Sequence, residues 1–90
     1  MAVTAVVQHR VRDYAGWREI YDEFTELREP HVGTRVAVYR ALDDPSNVLV
    51  IHSFESTADA ELFSGAAYIR EVMHLAGVEG QPRIELYEEA

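Results

Sequence analysis

Ninety residues make one domain, and a chain of this length removes only about 60 to 65% of its unfolded surface from water, so a second copy would extend its core. Sixteen acidic residues against eight arginines, with no lysine, give a formal charge of −8; such a surface repels phosphates and excludes nucleic acid as a partner, and the missing lysine excludes Schiff-base chemistry. There is no cysteine, which excludes disulfides, thiolate nucleophiles and cysteine metal sites.

The apolar residues, 48% of the chain, fall in short periodic segments. None approaches the roughly 20 consecutive apolar residues of a membrane span, so no membrane partner is expected. The opening MAVTAVVQHR lacks a basic region followed by a sufficient apolar stretch, and it reads as a strand rather than a signal peptide. The expected setting is soluble and cytoplasmic.

Thr4 to Val11 alternates as a strand, with Val3, Ala5, Val7, His9 and Val11 on one face and Thr4, Val6, Gln8 and Arg10 on the other. Asp13 is placed to cap a helix. From there Tyr14, Trp17, Ile20, Tyr21, Phe24 and Leu27 fall within an arc of about 140° at helical spacing, opposite a charged face. Glu29-Pro30 ends that helix, since proline disfavours helical geometry at the preceding residue. After a connection at His31-Val32-Gly33, Thr34 to Leu42 reads as a second strand. Asp43 to Asn47 is dense in turn formers and predicts a hairpin. Val48 to Ile51, continuing to Phe54, is an apolar run suited to an interior strand buried on both faces.

Ser56, with Asp59 three residues on, resembles a capping box for a second helix. Its inward stripe is Leu62, Ala66, Ile69, Val72, Met73 and Ala76; Phe63 lies about 100° from the stripe centre, and the weak pair Ser64-Gly65 predicts a kink or break. Gly77 suits the helix C-terminus. Arg83 to Tyr87 forms the last strand, with Ile84 and Leu86 inward.

The order β-α-β-β-α-β predicts an α+β, ferredoxin-like fold over residues 1–90, with both helices on one face of a four-stranded antiparallel sheet and the first and third strands as central neighbours. Apolar residues reach both sheet faces, so the uncovered face calls for a homodimer packed sheet against sheet.

Several segments together carry a family resemblance: His9-Arg10-Val11, Asp13-Tyr14-Ala15-Gly16-Trp17 leading to Tyr21-Asp22-Glu23, Asp43-Asp44-Pro45 before a valine-rich strand, Phe54 with Ser56, Ala60 and Phe63, and the ending Ala76 to Pro82. The chain resembles the dimeric α+β barrel superfamily, and within it the antibiotic biosynthesis monooxygenase-like and small cyclase-like branch. The resemblance spans almost the whole chain but is a pattern of spaced residues, not a catalytic motif. It implies a homodimer with an apolar pocket in each subunit. Members include cofactor-free oxygenases of phenolic polyketides and quinols, haem-degrading enzymes, lactone isomerases, cyclases and proteins without assigned activity. This sequence departs from the oxygenases and haem degraders, whose second helical region carries a tryptophan, often with an asparagine nearby: here the single tryptophan is Trp17 and the single asparagine, Asn47, lies in the hairpin segment.

His9 and His52 are the sharpest candidates. Both lie on expected central strands, on otherwise apolar faces, where pairing would make them cross-strand or diagonal neighbours. In a pocket either could act as general base toward a phenol or an acidic carbon; each is equally readable as a core-edge histidine bonded to backbone. Trp17, Tyr21 and Phe24 would wall a flat pocket for a small apolar or aromatic ligand, or else simply pack the core. Tyr14, Tyr39, Tyr68 and Tyr87 are weaker candidates, and Arg10 and Arg40 would hold an anionic intermediate only from a pocket mouth. A haem ligand would have to be His74 or His52, but no spacing requires one, and His31 reads as a loop residue. No cofactor or metal is expected. Two functions remain open: a cofactor-independent monooxygenase or cyclase acting on a small aromatic or polyketide-like compound, and a non-catalytic ligand-binding or stress-related dimer.

Overall fold

The structure, a computed structural model, describes residues 2–25 and 33–90, the side chains of Thr25 and Tyr68 excepted. Its elements are β1 (Val3–Val11), α1 (Tyr14–Thr25), β2 (Thr34–Ala41), β3 (Asp44–Phe54), α2 (Thr57–Gly65), α3 (Ala67–Leu75) and β4 (Val78–Glu88). The four strands form one antiparallel sheet in the order β2-β3-β1-β4. This is the expected ferredoxin-like order, with its second helix in two pieces and with β1 and β3 at the centre.

Alternation along β1 sorts its side chains: Val3, Ala5, Val7, His9 and Val11 are buried, while Thr4, Val6 and Gln8 are half-buried on the other face. On β3, Val48, Val50, His52 and Phe54 are buried beside them, with Val7 opposite Val50. The helices cover this face. Trp17 and Tyr21 of α1, Ala60 and Phe63 of α2, and Ile69 of α3 complete the core.

The helix ends follow from local chemistry. The Asp13 carboxylate accepts from the Gly16 amide at 3.1 Å, satisfying a donor that the first turn of α1 leaves open. Ser56, in extended backbone, caps α2 by accepting from the Asp59 amide at 3.1 Å. Gly77 leaves α3 at φ +83°, in the left-handed region that only glycine enters cheaply, and its amide donates to the His74 carbonyl at 3.1 Å.

Three expectations need correction. The hairpin turn is only Leu42-Asp43, and Asp44 to Asn47 belong to β3: Asp44 pairs with Arg10 and accepts from the Ser46 amide at 3.1 Å, so its turn-forming chemistry is used inside a strand. The predicted break in the second helix falls at Ala66, in extended backbone, and it rotates α2 so that Phe63 is buried and Leu62 is 60% exposed. The last strand begins at Val78, not Arg83, because a bulge keeps its early residues in the sheet. Gln8 faces Arg83 and Arg10 faces Glu79, leaving Gly80, Gln81 and Pro82 opposite His9 alone. Leu27, Glu29-Pro30 and His31-Val32 lie outside the described residues.

The Ser56 cap gives the first prediction. Ser56→Ala leaves the Asp59 amide without its acceptor and lowers stability by about 1 kcal/mol; urea denaturation should show a lower midpoint with an unchanged slope.

Candidate functional site

The helix-facing side of β1 and β3 carries two imidazoles in an otherwise apolar surface. His9 is 4% exposed and His52 1% exposed. Their expected proximity is not what the register produces: His9 lies opposite Val48 and His52 opposite Ala5, so the two are neither cross-strand nor diagonal neighbours. At about 3.4 Å per residue, four residues place them roughly 14 Å apart along the strands. They nevertheless face the same side, and an aromatic series joins them. The His9 ring meets Trp17 edge-on at 5.4 Å, Trp17 stacks on Tyr21 at 4.8 Å and 12°, and the Tyr21 hydroxyl lies 2.8 Å from His52 Nε2.

Between them is a cavity of about 40 Å³ that all five candidate residues line: His9, Trp17, Tyr21, Phe24 and His52 share it with α3 side chains, Met73 among them. Each reaches it for a local reason. Trp17, Tyr21 and Phe24 recur at helical spacing on the inner face of α1, and the two histidines occupy inward positions of alternating strands. The volume holds one to a few waters and is well below the roughly 300 to 1,000 Å³ of a drug-sized pocket.

The imidazoles occupy unlike surroundings. Burial pushes the His9 pKa from 6.5 down to about 4, offset only in part by its own backbone. His9 is therefore neutral near pH 7, and its Nδ1 is buried without a hydrogen-bond partner. His52 is sandwiched instead: Phe63 stacks on it at 5.5 Å, Phe54 lies at 6.5 Å, and the Tyr21 ring stands perpendicular at 5.8 Å. Burial holds the Tyr21 phenol well above its usual pKa, with Arg35 and Arg18 opposing. Tyr21 thus keeps its proton, and its hydroxyl and His52 Nε2 share one hydrogen bond whose direction follows the imidazole tautomer.

Outside this pair, Arg35 on β2 sits over the Tyr21 ring at 5.6 Å and pairs with Asp22. Arg18 also pairs with Asp22, at 3.0 Å. Arg35 was not singled out from sequence, because its place depends on the β2–β3 register that sets it opposite His52. Met73 is an inward-stripe position and Phe63 an off-stripe one by sequence, and both line the cavity. The remaining candidates lie elsewhere. Arg10 pairs with Asp44 at the surface, Arg40 stacks over Tyr14 at 4.2 Å, and Tyr39, Tyr87 and His74 are exposed. His31 and the side chain of Tyr68 lie outside the described set. Among the described residues, no helix is long and apolar enough to cross a membrane.

No family model and no curated protein matches the sequence. Solved structures do. A Caulobacter crescentus protein provisionally named an antibiotic biosynthesis monooxygenase superposes with TM-score 0.74 at 15% identity, over 99% of this chain and 90% of that one. SnoaB, a cofactor-independent oxygenase from Streptomyces nogalater, does so with TM-score 0.72 at 14% identity, over 98% and 92%. The chain has the fold of the antibiotic biosynthesis monooxygenase-like proteins. A NIPSNAP family protein from Agrobacterium tumefaciens shares that fold too, with TM-score 0.66 at 12% identity over 100% and 94%. Likeness at this level of identity speaks for architecture, which is common to proteins of different name, and leaves the reaction to the site.

The state of His9 has a measurable consequence. Above pH 6.5 the imidazole is neutral whether folded or not; as pH falls toward 4, the unfolded chain binds a proton that the buried ring refuses. Stability therefore declines across that window, by up to about 3 kcal/mol from this residue. Denaturation at pH 7 and pH 4.5 should show a larger loss for the wild type than for His9→Phe.

Proposed function

We propose that the chain is a cofactor-independent monooxygenase, or a cyclase of related chemistry, acting on a small aromatic or polyketide-like compound held against His9, Trp17, Tyr21, Phe24 and His52. One observation carries this reading: two imidazoles in unlike surroundings line one apolar cavity, one hydrogen-bonded to a tyrosine and the other edge-on to a tryptophan. Such a site suits removal of a proton from a phenol or an activated C–H.

With a pKa near 4, His9 is a weak base toward free ligand and serves better as the acceptor that orients a ligand hydroxyl. His52 is the candidate proton acceptor: with its Nε2–H donated to the Tyr21 hydroxyl, Nδ1 takes the proton and the tyrosine steadies the resulting imidazolium. Once deprotonated, an electron-rich ring or enolate can itself reduce dioxygen. Oxidation of an activated CH₂ to C=O consumes one O₂: one oxygen atom becomes the carbonyl, the other leaves as water, and the substrate supplies all four electrons. The named activity of SnoaB, a cofactor-independent oxygenase, supports this class of chemistry.

A second reading, a ligand-binding dimer without turnover, is favoured by the small cavity and by the absence of tryptophan from α2 and α3. Incubation with a panel of anthrones and quinols in an oxygen electrode separates the two. Turnover with one O₂ consumed per CH₂ oxidised, reduced about 100-fold in kcat by His52→Gln, supports the enzyme. Quenching of Trp17 fluorescence without oxygen uptake supports the binding protein, and no response in either assay contradicts both.

We further propose that two copies pack through the outer sheet face. Val6, Ala37, Leu49 and Ile51 form its half-buried apolar centre, and Tyr39 and Tyr87 remain 55% and 53% exposed beside them. Light scattering should find a dimer at micromolar concentration and a monomer for Ile51→Glu; a monomeric wild type would refute the pairing.

A further inference from the structure

The cavity has a neighbour. Between α3 and β4 runs an open groove of about 470 Å³, bordered by Arg70, His74, Gly80 and Gln81. Met73 lines both this groove and the cavity that holds His9. Its thioether side chain has three rotatable bonds and tolerates rearrangement, so it forms the movable part of the wall between them. The sheet brings the two spaces together at the same level, because the bulged residues Gly80 to Pro82 of the groove lie opposite His9 on the adjacent strand.

The two spaces differ in chemistry. The inner one is apolar apart from its imidazoles and phenol, and His9 is among its lining residues. The outer one presents Arg70 and His74, one helical turn apart on α3. Arg10, Arg18, Arg35 and Arg83 are each engaged by a carboxylate. Arg70, like Arg12 and Arg40, has no carboxylate partner among the described residues, and of these three it is the one that borders the groove. His74 sits in the last turn, where the helix dipole favours a cation.

Building on the reading that a phenolic or enolic ring occupies the cavity, we propose that the ligand is an aromatic carboxylate: the ring displaces Met73 and meets His9, and the carboxylate is held in the groove by Arg70 and His74. This joins an apolar space too small for a ring to a larger groove with room for the rest of the molecule. The planar fork of Arg70 matches a carboxylate.

The test uses p-hydroxyphenylacetate, p-hydroxyphenylpropanoate and p-hydroxyphenylbutanoate against their primary amides, with the fluorescence of Trp17, the single tryptophan of the chain, as reporter. At least one acid should bind about tenfold more tightly than its amide, a difference produced by one charge-assisted contact. Arg70→Gln should bring the pair to within about twofold while leaving the amide unchanged, and Arg83→Gln, outside the groove, should preserve the difference. Methyl NMR should show the Met73 signal shifting with the acid but not with acetate. Equal affinity of acid and amide, or a preference that survives Arg70→Gln, overturns the anionic subsite while the phenol reading stands. If neither acid nor amide perturbs Trp17, the phenol reading fails and takes the subsite with it.

Discussion

β1 and β3 pair antiparallel with Val7 opposite Val50, and that register decides which side chains face the helices. Each strand then sends alternate residues to the same side, so Val3, Ala5, Val7 and Val11 join Val48, Val50 and Phe54 in one buried layer. The same alternation leaves His9 and His52 no other place to go. A slip of one residue would turn one strand over, sending either His9 with Val7 or His52 with Val50 to the outer face. The polar site and the apolar core are thus products of one pairing.

Burying two imidazoles costs free energy unless they are neutral or partnered, and the fold meets that cost in two ways. His52 is answered by the Tyr21 hydroxyl and lies between aromatic rings. His9 stays neutral with Nδ1 unsatisfied. The His9 ring itself borders the cavity. On the proposed reading, a ligand that donates a hydrogen bond to this ring removes the penalty on binding.

Much of the architecture was legible in the residues themselves. The alternation of β1, the cap at Asp13, the cap at Ser56 and the glycine at position 77 are local signals, and each acts where local chemistry places it. What depends on long-range register was not legible. The four-residue offset between His9 and His52, the position of Arg35 over Tyr21 and the bulge opposite His9 are all set by how strands slide against one another, which no single segment encodes. Leu62 and Phe63 exchanged roles because the break at Ala66 lets α2 rotate independently of α3. The inward placement of His9, Trp17, Tyr21, Phe24 and His52 was readable, since all stand on regular elements; the small size of the cavity they line was not.

The central claim is that this cavity receives a ligand, and a crystal structure of the chain soaked with a quinol tests it most directly. The account predicts density for a ring between α1 and the sheet, with a hydroxyl within hydrogen-bond distance of His9 and with Met73 displaced. A cavity still closed by Met73 at saturating quinol, with His9 unpartnered and ligand only on the outer face of the sheet, would contradict it.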